Sequence, residues 1–301
     1  MQEKRLAVTV PQRLDGATVK DVARSCLSLS STRLKKAKRV PGGILRNGRG
    51  VTVVERVRAG DVLSIVIEEA GARSEDVVPV AGDLDVRYED EHLLVLNKPA
   101  GMPVHPSPGH EQDTLANRVV ARYGEVFRPV NRLDAGTTGL MVAARNAHVH
   151  ARLSAALHTA DFERRYLAVV EGAWREREGT VDAPIARAPG SAIRRCVDPA
   201  GQRAVTHFRV LTNSGRFSLV ELLLETGRTH QIRVHMASIQ HPVAGDPVYG
   251  PHNCITSLHG QCLHAKTLGF VHPITGEHLR FDSELPEYFT HFLATLRRGT
   301  V

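Results

Sequence analysis

Between Asn131 and Leu140 the chain reads NRLDAGTTGL. An arginine and an aspartate two apart, then hydroxyl side chains and two glycines, make a tight polar loop that runs into the apolar strand Leu140-Met141-Val142-Ala143-Ala144. A carboxylate held at Asp134 would be oriented and partly desolvated, which suits it to nucleophilic or proton-transfer chemistry. The same residues also suit an aspartate that only closes turns by hydrogen bonding, and the loop alone does not choose between the two.

A second cluster lies further along. Glu225 to His235 reads ETGRTHQIRVH, and His241 to Gly250 reads HPVAGDPVYG. Arg228, His230, Arg233 and His235 supply several donors for phosphate or for an aspartate partner. Zinc is the competing chemistry, but His230 and His235 are five apart without an HExxH pattern, and Cys254, Cys262 and His264 lack the usual short spacing, so no metal site is expected. The four cysteines, Cys26, Cys196, Cys254 and Cys262, contain no CxxC pair, which argues against a disulfide framework and fits a reducing compartment.

The elements that must hold these residues follow from periodicity. Leu93 to Asn97 is a buried-strand run closed by Lys98-Pro99-Ala100-Gly101, and strands are expected at 139–144, 166–171, 205–211 and 218–224. Helices are expected at 147–158, where Val149, Leu153 and Leu157 share a face, and at 285–296. Strands without regularly alternating helices predict an α+β, mainly antiparallel catalytic domain over residues 84–301. Ahead of it, Val19, Val22, Ala23 and Leu27 recur at helical spacing, and Ser31 is placed to cap a second helix carrying Arg33, Lys35, Lys36, Lys38 and Arg39. Ile44–Arg46 is expected to pair with Val51–Val53 across Asn47-Gly48. Residues 68–83 are polar and read as a linker.

At 301 residues the chain exceeds what one hydrophobic core ordinarily fills, roughly 250 to 300 residues, so two domains are expected. Apolar residues at 42% and charged residues at 24% are the balance of a globular protein. No run approaches the ~20 apolar residues of a membrane span, and no membrane partner and a cytoplasmic location are expected. The net charge of +7 is concentrated: residues 1–66 hold fourteen Lys and Arg against five Asp and Glu, 14 − 5 = +9, leaving 7 − 9 = −2 for the rest. Such a basic segment attracts polyanions by counterion release, which points to a nucleic acid.

The order of a basic helix, then RNGRGVTV, then AGDVLSI over residues 13–67 resembles the alpha-L RNA-binding module of a small-subunit ribosomal protein and of many RNA-modifying enzymes. The segments LVLNKPAGMPVHP, RLDAGTTGL, ERRYLAVVEG, AVTHFRVL, TGRTHQIRVHMASIQHPVAGDPVYG and LHAKTLGFVHP together resemble the RluA/RluD family of pseudouridine synthases, in the family's order over about residues 84 to 290. The resemblance implies an isomerase that detaches uracil from its ribose, rotates it and rejoins it through carbon 5, with no cofactor.

By that resemblance Asp134 matches the family's essential aspartate, which either attacks the anomeric carbon or takes part in forming a glycal. Arg233 matches the arginine that pairs with it, and Tyr166 matches the active-site tyrosine that stacks on uracil; without the family, Tyr166 would read as a core residue of a strand. Arg132 matches an arginine that helps hold a uridine turned out of its helix, at a cost of a few kcal/mol. Arg228 and His230 are expected to contact RNA backbone or support the loop, and Arg33, Lys35, Lys36 and Arg39 to grip RNA from the N-terminal module. Ribosomal RNA of the large subunit is the expected substrate, with transfer RNA behind it, and the enzyme is expected to be monomeric. Two departures stand out: Asn131 where many members carry His, and Ala135-Gly136 where a charged pair is common. An inactive RNA-binding protein on this scaffold, or a nucleosidase releasing free uracil, are the competing functions.

Overall fold

The computed structural model describes residues 4–27, 29, 31–68, 77–124, 127–250 and 260–297. In the N-terminal layer, β1 (Lys4–Thr9) pairs antiparallel with β4 (Val62–Glu68), which also pairs with β2 (Ile44–Arg46), and β2 with β3 (Arg49–Gly50). Two helices cover the sheet, α1 (Val19–Ser25) and α2 (Ser31–Ala37). Thr18 and Asp21 cap α1 reciprocally, each side chain accepting the other's backbone N–H. Val19, Val22, Ala23 and Leu34 point into a core closed by Leu6, Ile44, Leu63 and Ile65.

Two expectations for this layer need correction. Of the expected Val51–Val53, only Val51 continues the hairpin. Asn47 and Gly48, both at positive φ (50° and 80°), turn the chain so tightly that Arg46 faces Arg49 and Leu45 faces Gly50, and the Val51 N–H donates to the Ile44 carbonyl at 3.1 Å; beyond it the chain leaves the ladder, the Val53 carbonyl accepting the Lys20 N–H and Val53 packing on the core. The layer also starts earlier than residue 13: β1 contributes Leu6, and Val10 follows in the same core. Helix α2 begins at Ser31 and ends at Ala37, which leaves Lys38 and Arg39 in the turn after it.

The larger layer is a ten-stranded sheet. Its strands, in chain order, are β5 (Val86–Glu89), β6 (Leu93–Lys98), β7 (Arg128–Pro129), β8 (Thr138–Ala144), β9 (Glu163–Glu171), β10 (Glu178–Asp182), then β13 (Val205–Asn213), β14 (Phe217–Leu224), β15 (Leu263–Val271) and β16 (His278–Asp282); a separate hairpin pairs β11 (Ile185–Arg187) with β12 (Arg195–Val197). The order across the sheet is β10-β13-β14-β9-β15-β8-β6-β5, with β7 on β8 and β16 on β15. Every pairing is antiparallel except β8 with β15, where Thr138 faces His264 and Gly139 faces Ala265. Helices are α3 (Leu115–Tyr123), α4 (Ala147–Ala156), α5 (Gln231–Ser238) and α6 (Glu287–Arg297). The expected α+β class with a mainly antiparallel sheet is what the chain adopts; α3 was not anticipated.

Strands β6 and β8 read as uninterrupted apolar runs because both of their faces are covered. Leu94, Leu96, Met141 and Ala143 pack against α3, while Leu93, Val95, Leu140 and Val142 pack against α4. Gly139 is needed where β15 crosses: at φ +106° its missing Cβ would lie 2.3 Å from the Ala265 carbonyl oxygen. Residues 77–83 have no regular structure, yet Val77 is buried with α3, and Asn117 donates to the Val78 carbonyl. The middle of the expected linker, 69–76, lies outside the described residues, as does Cys254. Ile274 packs against both the N-terminal core and the α4 core, and α4 contacts β4, so the two layers touch. Among the described residues no helix is long and apolar enough to cross a membrane.

Candidate active site

The loop before β8 is anchored from three sides. The Asn131 side-chain oxygen accepts the Val142 N–H, Leu133 is buried under the sheet, and the Gln261 amide donates to the Thr137 hydroxyl. From the end of β6, the Lys98 ammonium donates to the carbonyls of Pro99, Met102 and Ala135 at 2.7, 2.8 and 2.9 Å. These ties fix the backbone on either side of Asp134 and leave its side chain 25% exposed, turned to a cavity of about 530 Å³. Burial pulls Lys98 down to about 7 against the attraction of Asp134. Its three carbonyl acceptors favour the ammonium form.

Asp134 meets Arg233 across 99 positions of sequence. Arg233 Nη1 donates to Asp134 Oδ2 at 2.8 Å, while its Nε and Nη2 donate to the two oxygens of Asp246 at 2.6 and 2.9 Å. Arg233 is 4% exposed and Asp246 0% exposed, so the guanidinium is clamped rather than laid on a surface. Burial works against the Arg233 charge, but Asp246 and Asp134 outweigh it and hold the group above its ordinary pKa. Asp246 is itself fixed, because its Oδ1 accepts the N–H groups of Val248 and Tyr249.

Helix α5 presents Arg233 because its entry is braced. The Gln231 side chain accepts from Thr226 and from Arg228 N–H, and donates to the Val205 carbonyl and the Thr206 hydroxyl. His230, at the N-cap, has φ +58°, an uncommon conformation for a residue with a Cβ. Its Nε2 stands 3.9 Å from Asp134 Oδ2. Burial lowers its pKa, against the pull of Asp134.

Tyr166 on β9 lines the same cavity and is 6% exposed; burial raises its pKa, and the Asp134 charge adds to that rise. Asp134, Tyr166 and Arg233 are thus brought to one cavity, together with Arg132, which is exposed on its edge, Arg228 and His230. Arg228 donates to the Arg203 carbonyl. Arg33, Lys35, Lys36 and Arg39 do not line it; they belong to α2 and the turn after it, beside α4, where His148 senses the Arg33 charge. Sequence reasoning did not assign roles to Lys98, Asp246 or Tyr249. Asp246 and Tyr249 lie in the GDPVYG segment, where a lone acid after a helix carrying Arg233 and His235 is a usable signal; Lys98 carried no signal beyond closing a strand.

The arrangement holds a carboxylate beside a guanidinium and a phenol in a cleft with cations at its margin, which suits attack on or proton removal from an electron-poor sugar carbon. The pattern of the family described as RNA pseudouridylate synthase matches residues 92–238. The uncharacterized RNA pseudouridine synthase YlyB of Bacillus subtilis is 43% identical over 86% of this chain and 87% of its own. Ribosomal large subunit pseudouridine synthase D of Zymomonas mobilis is 40% identical over 91% of this chain and 90% of its own. Among solved structures, human RNA pseudouridylate synthase domain containing 4 superposes with TM-score 0.56 at 27% identity, covering 71% of this chain and 93% of that one.

Proposed function

Because this chain belongs to the family of RNA pseudouridine synthases, enzymes that isomerise uridine within RNA, we propose that Asp134 is the carboxylate that acts on the ribose of a uridine turned out of its helix. The observation that carries this reading is the Asp134–Arg233 pair, 2.8 Å long and open to the cavity on the Asp134 side. Arg233 is the orienting partner. Its second clamp to Asp246 lets it hold the carboxylate in one direction while a sugar carbon approaches the free oxygen.

Tyr166 stacks on the extruded uracil and lies where a proton must leave carbon 5 after the base has rotated. Arg132, on the edge of the cavity, contacts the strand that has lost its base, and Arg228 contacts backbone phosphate. The N-terminal layer, matching the alpha-L module over 13–67 with β1 added, grips structured RNA through Arg33, Lys35, Lys36 and Arg39. Large-subunit ribosomal RNA is the proposed substrate, supported by the relative named for that activity.

The test is a map of pseudouridine in cellular RNA from cells holding the native chain, the Asp134→Asn chain or neither. Asp134→Asn is expected to erase the same large-subunit sites as deletion, a loss of at least about 10³-fold in rate, while RNA affinity stays within a few fold. Sites that persist with Asp134→Asn would overturn the assignment. Free uracil in place of pseudouridine would favour the nucleosidase instead.

A further inference from the structure

The wall beside Asp134 holds an imidazole that is oriented by the protein itself. His230 Nδ1 lies 2.9 Å from the Tyr249 hydroxyl, and that hydroxyl accepts the Arg195 backbone N–H at 2.8 Å. Among the described residues Nδ1 is the acceptor within reach of the phenol's proton, and Nε2 is the nitrogen that faces the Asp134 carboxylate, which together assign the imidazole proton to Nε2. Nε2 faces Asp134 Oδ2 at 3.9 Å, too far for a direct hydrogen bond. Among the described residues nothing else accepts from it. The left-handed backbone of His230 is a conformation that side-chain-bearing residues rarely adopt, and such outliers gather where a side chain must be aimed.

We propose that His230 donates its Nε2–H to the 2′-oxygen of the target uridine and so selects ribose, with Tyr249 as the positioning residue that fixes the tautomer. This rests on the reading that Asp134 meets the sugar. Asp134 then acts at C1′ or at C2′, and in both cases the 2′-oxygen is within two bonds of the reacting carbon. A donor nitrogen 3.9 Å from Oδ2, the Arg233-bound oxygen of the reacting carboxylate, stands beside the free oxygen and can therefore reach the 2′-oxygen. Charge also fits. Phosphate is served by Arg132 and Arg228 on the same cavity, whereas a single neutral N–H matches a hydroxyl, the group that separates RNA from DNA. Asp134 and Asp246 favour protonation of His230, while burial, Arg233 and Arg195 oppose it, and burial is the strongest influence.

The test uses the full chain and a transcript containing a uridine whose modification depends on it, against the same transcript with 2′-deoxyuridine at that one position. Binding is measured in the Asp134→Asn background, so that the RNA is not consumed. The parent is expected to prefer ribose about tenfold, the worth of one neutral hydrogen bond. Adding His230→Ala should bring the preference close to one, and His230→Gln, which carries an N–H of similar reach, should restore part of it. An equal preference in parent and His230→Ala overturns the proposal.

In the same Asp134→Asn background, Tyr249→Phe removes the donor to Nδ1 and lets the imidazole proton move there, away from the substrate. The preference for ribose should then fall toward one, while affinity for the 2′-deoxyuridine transcript holds. An equal loss of affinity for both transcripts would mean that Tyr249 only supports the fold, and would overturn its assigned role. Pseudouridine formation surviving in the Asp134→Asn background would instead sink the Asp134 reading, a separable failure.

Discussion

The N-terminal layer and the catalytic cleft use positive charge in opposite ways. Lys35, Lys36 and Arg39 are exposed on and just after α2, whereas Arg233 is sealed in the cleft between two carboxylates. Exposed cations attract any polyanion and lose strength with salt. A clamped cation adds little long-range attraction, because its charge is spent on two neighbours, but it sets direction. On the proposed reading, one chain would separate holding RNA from acting on it by how deeply its cations are buried.

Within this contrast, the largest expected effect comes from breaking the buried clamp. Asp246→Asn leaves Arg233 with half its partners, and removing one member of a buried pair costs about 3 to 5 kcal/mol of stability. Activity should fall roughly 10²-fold, the price of misplacing a reacting group, while RNA affinity changes little. Thermal melting and single-turnover rates check this together; an unchanged rate would mean that Asp246 does not direct Asp134 through Arg233.

Neutralising the exposed set should act the other way. Replacing Lys35, Lys36 and Arg39 by Gln is expected to weaken RNA binding about tenfold at moderate salt and to flatten the log–log salt dependence by about 2 to 3, the share of three phosphate contacts. The rate on bound RNA should hold. Equal salt slopes in both proteins would remove the N-terminal layer as the grip and erase the contrast drawn here.

The smallest effect on activity concerns Lys98, a third use of charge, buried yet held only by carbonyls. Its pKa falls from 10.5 to about 7 on folding. Between those values the unfolded chain binds more protons than the folded one, so stability should rise with pH across that window and level off below about 7. Lys98→Met, of similar length, should flatten this slope in urea titrations taken from pH 7 to 10. A slope that persists belongs to another group.

Much of this was legible in the chain before any coordinates. The apolar runs at Leu93–Asn97 and 139–144, the helix near 147–158 and the Asn47-Gly48 turn each appear close to where they were expected, because alternation, capping and turn chemistry are local. The misses are also local in cause. Val51–Val53 looked like a strand but beyond Val51 is drawn off by α1, and Leu115–Tyr123 was not recognised, its helix starting at a Thr114–Asn117 cap within a stretch of polar residues. The pattern around Asp134 marked the loop, and family likeness named Arg233 and Tyr166.

By itself the sequence determined five strands of the large sheet, β6, β8, β9, β13 and β14, the basic first segment and the residues able to do chemistry, since those depend on side-chain type and near-neighbour spacing. Only the tertiary structure decided that Arg233 has two carboxylates, that Lys98 reaches the Asp134 loop, and that Tyr249 orients His230. Those contacts join positions 13, 37 and 19 residues apart, and 99 for Asp134 with Arg233. Partners so separated are selected by how the sheet and α5 pack, and no local rule of composition contains that information.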